Sequence, residues 1–233
     1  MLGEPRFSHR LARVPKHQIE ELAILGRKPI RLLGFDPLRK ARIGTEIALD
    51  VRALALDEVL GKLPPLSLGP EMPVELVASC VGLEPGDVIT RAHRPVSASV
   101  GNSFVIAEVS GEALTRSVPD LARFRAAAQI YTAMGPNRLA LYLYAHDGAR
   151  IRTRMFSPLS GTIEDPATGS AATPLAALLL SFTGDSERRY EIVQGVEMGR
   201  PSRLRCLAQR TSDGIRAKVG GGCVPVLDGT ISL

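Results

Sequence analysis

Asp165 and Ser170 are the residues of this 233-residue chain whose types and spacing most directly suggest chemistry. Asp165 precedes Pro166, and Ser170 sits in Thr168-Gly169-Ser170-Ala171, directly ahead of the apolar run that ends in Leu178-Leu179-Leu180. From Ala171 to Leu180 almost every position is apolar, so the run predicts a helix buried on all sides, with Pro174 placed in its first turn. Thr168, Gly169, Ser170 and Ala171 then form the start of that helix. Unpaired N–H groups converge at such an end, the dipole is positive there, and a glycine lets a ligand approach the backbone. A carboxylate or phosphate fits this environment. Pro166 holds the preceding backbone extended, which aims the Asp165 carboxylate across the same pocket as a proton donor or acceptor. Ser170 can donate a hydrogen bond or relay a proton. The plainer alternative is that Asp165 only opens a turn and Ser170 only caps the helix.

The elements around this segment have their own turn signals. Val96–Val109 alternates like a strand broken at Gly101-Asn102, and Pro119–Ala128 reads as a helix. Leu139–Met155 reads as a hairpin joined at Asp147-Gly148, a dipeptide suited to the φ > 0 turn. Short strands are expected at 190–193, 202–208, 215–219 and 224–233. Before residue 95 the pattern is less regular: Pro15–Leu25 suggests a short helix, Ile43–Leu56 alternates loosely, Leu63–Pro73 is linker-like, and Val74–Leu83 has helical spacing.

Composition narrows the function classes. Hydrophobic residues make up 45% and charged residues 23%, as in an ordinary globular protein, and no apolar stretch is long enough for a spanning helix or a signal sequence, so a cytoplasmic protein without a membrane partner is expected. Cys80, Cys206 and Cys223 are widely spaced, which suggests neither a metal site nor a disulfide framework and makes them inert core residues. The net charge of +5 is spread among acidic residues, aromatics are only 4%, and no nucleic-acid motif is present, so no nucleic-acid partner is expected.

Glu164-Asp-Pro-Ala-Thr-Gly-Ser-Ala171 resembles the signature of the PhzF-like phenazine-biosynthesis family, within the diaminopimelate-epimerase superfold. Val96-Ser-Ala-Ser-Val-Gly-Asn102, Gln194-Gly-Val-Glu-Met-Gly-Arg-Pro-Ser202 and Val219-Gly-Gly-Gly-Cys-Val-Pro-Val226 agree in order and kind, so the resemblance spans roughly Pro95–Leu233. It implies an α+β fold of two lobes, each a mixed sheet wrapped around a buried central helix. Residues 95–223 would form the C-terminal lobe. Residues 1–94 would form an incomplete or divergent first lobe, to which 224–233 return.

The resemblance also implies cofactor-independent, metal-free isomerisation or epimerisation of a small cyclic or amino carboxylic acid by proton transfer. Asp165 and Ser170 match catalytic positions of the family. Thr168, Gly169, Ser170 and Ala171 match its substrate-binding helix start. Met198, Gly199, Arg200 and Ser202 match a motif read as mainly structural. The family's S-E-T-x-F glutamate and C-G-H histidine elements are not recognisable in 1–94, and His93 and His146 lie off-motif with surface or turn roles. Three readings follow: an isomerase whose partner acid/base lies elsewhere or in a second subunit, a non-catalytic truncated homologue that binds a small carboxylate at the helix N-terminus, or a chain whose Met1 lies within a longer protein. An incomplete barrel would expose an apolar edge, which suggests a homodimer.

Overall fold

The computed structural model describes residues 63–222. The helix expected at 15–25, the strands expected at 43–56 and the closing strand expected at 224–233 lie outside them. In chain order the elements are β1 (Ser67–Glu71), α1 (Val74–Cys80), β2 (Val88–Ile89), β3 (Val96–Ser99), β4 (Ser103–Val109), α2 (Gly111–Arg116), α3 (Leu121–Ile130), β5 (Leu141–Asp147), β6 (Arg150–Ser157), β7 (Thr162–Asp165), α4 (Gly169–Ser181), β8 (Glu187–Gln194), β9 (Ser202–Thr211) and β10 (Gly214–Gly221). The fold is α+β.

The strands form a mixed sheet in the order β1-β3-β4-β5-β6-β8-β9-β10, with β2 attached to β4 and β7 to β6. Its two parallel pairings are β4 with β5 and β6 with β8, and each needs a crossover. The first crossover carries α2 and α3. The second carries β7 and α4, which is how the Asp165 segment is delivered to the sheet. The β5–β6 hairpin turns where the sequence signals it, with Asp147 opposite Arg150 and Gly148 at φ 60°.

Each face of this sheet buries a separate cluster. Leu141, Leu143 and Ala145 of β5 pack with α1, α2 and α3, whereas Tyr142 and Tyr144 of the same strand point into the cluster around α4. That division explains the near-continuous apolar run of β5, since both of its faces are buried. Around α4, Ala171 to Leu178 are buried without a break, against Ala98, Ile106, Tyr142, Ile192, Leu204 and Ala217 from different strands. Each large apolar side chain so buried contributes about 1.5–3 kcal/mol, so the sheet is held to α4 by many small terms.

The sheet curls far enough for its ends to meet. Leu66 donates its N–H to the carbonyl of Ile215 in β10 at 2.7 Å, and the Arg216 guanidinium reaches the Leu63 carbonyl. The segment read as a linker holds β1, whose five residues are all exposed and carry no alternating pattern. Residues 63–94 also supply α1 and β2, so the expected division after residue 94 runs between β2 and β3, both of which pair with β4.

Pro174 is not in the first turn. Thr168 is the N-cap and α4 begins at Gly169, which puts Pro174 in the second turn and leaves the Ser170 carbonyl without its usual N–H partner. The neighbouring Thr173 hydroxyl approaches that carbonyl at 3.5 Å and the Gly169 carbonyl at 3.3 Å, supplying a weak substitute.

Candidate active site at the start of the buried helix

Asp165 ends β7, opposite Met155 of β6, and Pro166 directs the chain from the sheet edge toward α4. Its Oδ2 accepts a hydrogen bond from the Thr168 hydroxyl at 2.7 Å, and no described residue donates to Oδ1. Thr168 thus spends its hydroxyl on Asp165 and makes no side-chain cap to the helix. The N–H groups of Ala171 and Ala172 both reach the Thr168 carbonyl, at 3.1 and 3.0 Å. The N–H groups of Gly169 and Ser170 are left without partners among the described residues, at the positive end of the helix dipole.

The predicted site residues differ in what they can offer a ligand. Ser170 is exposed and its hydroxyl makes no hydrogen bond within the described residues. Gly169 is half-buried, and a Cβ there would lie 3.3 Å from a methyl of Val219, so β10 crosses close to the helix start. Thr168 is buried, with its N–H taken up by Gln194 and its hydroxyl by Asp165. Ala171 is buried and its N–H is satisfied, so its part is to pack the helix start. Ser170 is the second residue of the helix and does not cap it.

Gln194, Tyr142, Thr153 and Arg154 complete the support, and no chemical motif marks them out. Gln194 closes β8 with no exposure; its Nε2 donates to the Asp165 carbonyl at 2.6 Å and to Thr168 Oγ1 at 2.8 Å, while its Oε1 accepts from the Thr168 N–H at 3.2 Å. The Tyr142 hydroxyl lies 3.1 Å from both Gln194 Oε1 and Thr153 Oγ1. Complete burial drives the Tyr142 phenol far above its ordinary pKa, so it stays protonated. The available signal was Gln194 itself, the first residue of a sequence element whose remainder forms a turn.

Behind β7, Arg154 grips Glu164 with Nε and Nη2 at 2.8 Å each, and its Nη1 donates to the carbonyls of Leu114, Thr115 and Ser117 at the end of α2. This fork ties the residue before Asp165 to a helix C-terminus, where a cation is favoured. Arg152 pairs with Glu197, in the turn after β8.

Other sequence candidates stand apart from this group. His93 stacks between Tyr144 and Phe182 and bonds the Tyr144 hydroxyl at 2.9 Å, and His146 lies 4.0 Å from Glu108; neither is bonded to Asp165 or Thr168. Arg200 is an exposed turn residue whose N–H donates to the Gly195 carbonyl at 2.9 Å. Cys80 and Cys206 are buried and unpaired, and Cys223 lies outside the described residues. Among the described residues no group of three His, Cys, Asp or Glu side chains is placed to hold a metal ion, and no helix is long and apolar enough to cross a membrane.

The comparisons with known proteins bear on the family and the fold. A family model described as phenazine biosynthesis-like protein, PhzC-PhzF, matches residues 65–229. A trans-2,3-dihydro-3-hydroxyanthranilate isomerase from Pseudomonas chlororaphis is 46% identical over 98 residues, covering 41% of this chain and 35% of the relative. An uncharacterized isomerase from Mesorhizobium japonicum is 32% identical over 186 residues, 74% of this chain and 59% of its own length. The fold matches a PhzF-family phenazine biosynthesis protein from Bacillus anthracis with a TM-score of 0.63 at 23% identity, over 73% of this chain and 59% of that one. The chain thus spans between 35% and 59% of the length of these relatives. By the extent of the family match and the fold it shares, the chain belongs to the phenazine biosynthesis-like PhzC-PhzF family.

Proposed function

We propose that residues 165–170 form one side of a proton-transfer site for a small carboxylic acid, and that the protein is a cofactor-independent isomerase or epimerase of the PhzF type. The observation that carries this reading is the pairing of Asp165 with an uncapped helix start. The ligand carboxylate would accept from the Gly169 and Ser170 N–H groups, and the Ser170 hydroxyl would add a third donor. Asp165 would then stand beside the bound acid with one oxygen held by Thr168 and the other available to exchange a proton. Thr168 and Ala171 serve this site through position and packing. Relatives named as isomerases of a dihydro-hydroxyanthranilate support a cyclic carboxylic acid as the substrate class.

Isomerisation by proton transfer needs a second group on the opposite side of the ligand, and the described residues contribute Asp165 to one side of it. A second reading has the chain bind a small carboxylate without turning it over; the donors left open at Gly169 and Ser170 suit binding whether or not a proton moves. The two are separated by incubating the full chain in D2O with trans-2,3-dihydro-3-hydroxyanthranilate and following deuterium incorporation and isomer composition by mass spectrometry and NMR. An isomerase incorporates deuterium at a ring carbon in a manner abolished by Asp165→Asn; saturable binding with no incorporation leaves the binding protein.

A further inference from the structure

We infer that Gln194 is a positioning residue that fixes the direction of hydrogen-bond donation at the candidate site, keeping Thr168 as a donor to Asp165 and the helix start open for a ligand. The inference rests on the reading of residues 165–170 as a carboxylate site, and it adds to that reading the device that keeps the site open.

The direction follows from groups that have no choice of role. The Asp165 carbonyl can only accept and the Thr168 N–H can only donate, so the Gln194 amide must turn its nitrogen toward Asp165 and its oxygen toward Thr168. No flipped arrangement satisfies both. The remaining Nε2 proton is then directed to Thr168 Oγ1 at 2.8 Å, which makes that hydroxyl an acceptor from Gln194. Its single proton is left for Asp165 Oδ2 at 2.7 Å. On the far side of the amide, the Tyr142 and Thr153 hydroxyls supply further donors toward Oε1 at 3.1 and 3.5 Å. The chain of donation therefore runs one way, from β8 through Thr168 to the Asp165 carboxylate.

This has a consequence for the helix. A threonine at an N-cap ordinarily turns its oxygen to the N–H of the second or third helical residue, which here would compete with a ligand carboxylate for the Ser170 N–H. Here the Thr168 oxygen faces Gln194 and its proton faces Asp165, so the cap position is filled by a residue that does not cap. Because Gln194 is fully buried, replacing its donors leaves the Asp165 carbonyl and Thr168 hydroxyl to find other partners. Glutamate has nearly the same shape but only accepts when ionised. In Gln194→Glu the Thr168 hydroxyl would turn its proton to the new carboxylate and release Asp165.

The test uses the full chain with two readouts. The first, without ligand, is the solvent protection of the Thr168 hydroxyl proton by NMR and its sensitivity to Asp165→Ala. The second is the affinity for anthranilate as the probe, by calorimetry. Wild type is expected to show a protected Thr168 hydroxyl proton that Asp165→Ala exposes. In Gln194→Glu the proton loses its dependence on Asp165, and anthranilate binds about tenfold more weakly because Asp165 is no longer held in place and a second carboxylate stands near the bound anion. Thr168→Val, which threatens the fold less, should weaken binding to a similar extent, Thr168→Ser should restore it, and the Gln194→Glu/Thr168→Val pair should be no worse than either change alone. A Thr168 proton that keeps its dependence on Asp165 in Gln194→Glu would overturn the inference, as would effects of the two changes that simply multiply. Failure of wild type to bind anthranilate would count against the carboxylate site itself, while the hydroxyl readout would still decide the role of Gln194.

Discussion

Gly195 and Pro166 pack backbone against backbone: a Cβ on Gly195 would lie 2.8 Å from the Pro166 carbonyl oxygen and 3.0 Å from its Cα. Gly195 also has φ +79°, in the left-handed region. The element after β8 and the Asp165 segment are thus locked together by a contact only glycine permits, beside the Gln194 amide that bonds the same loop. Gly195→Ala should cost about 1–3 kcal/mol from backbone strain and the displaced loop, read as a lower urea midpoint. Weaker binding at Gly169 and Ser170 should accompany it.

Arg154 is buried, forks to Glu164 at 2.8 Å and has Glu197 within 4.0 Å as a second carboxylate. Arg154→Met should destabilise the protein by about 3–5 kcal/mol because it strands the Glu164 carboxylate and three helix-end carbonyls. The double change Arg154→Met with Glu164→Gln should recover part of that loss. Denaturant unfolding of the two variants side by side checks the order.

Thr173 and Pro174 should be energetically coupled. Thr173→Val removes the hydroxyl that approaches the Ser170 carbonyl and should cost about 1 kcal/mol. In a Pro174→Ala background residue 174 regains the N–H for that carbonyl, so the same change should cost less. A double-mutant cycle in urea measures the difference.

Burial pushes the Cys206 thiol up to about 12 from an ordinary 9.0, and burial followed by the nearby Asp120 does the same for Cys80. Unfolded thiols release their protons first, so the folded state binds more protons as pH rises above 9, and stability falls across the window from 9 to 12. Below that window the contribution is complete. Urea midpoints measured across it should decline less steeply in Cys80→Ala and Cys206→Ala than in wild type. At about pH 8 a thiol reagent should modify neither residue until the protein unfolds.

The central helix was legible because an apolar run without an amphipathic stripe has only one stable home, inside a surrounding sheet. The hairpin was legible because Asp147-Gly148 is a local device that needs no tertiary context. β1 was obscured because its residues Ser67–Glu71 are all exposed, so its partners and not its side chains make it a strand. The place of Pro174 depended on a helix start that fell two residues earlier than Ala171, a margin that local pattern does not resolve. Asp165 and Thr168 stood together in the sequence and remain together in the fold. Gln194 joins them across 26 residues from Thr168, and a lone glutamine carries no chemical signature until its partners are in place.

The helix-start site is tested most directly by 15N-resolved NMR of the full chain during titration with trans-2,3-dihydro-3-hydroxyanthranilate. If the carboxylate binds where residues 165–170 converge, the Gly169 and Ser170 amide resonances shift first and furthest, saturably, and the shifts weaken in Ser170→Ala. Saturable binding that leaves the Gly169 and Ser170 amides unmoved, or no binding at all, would contradict the site.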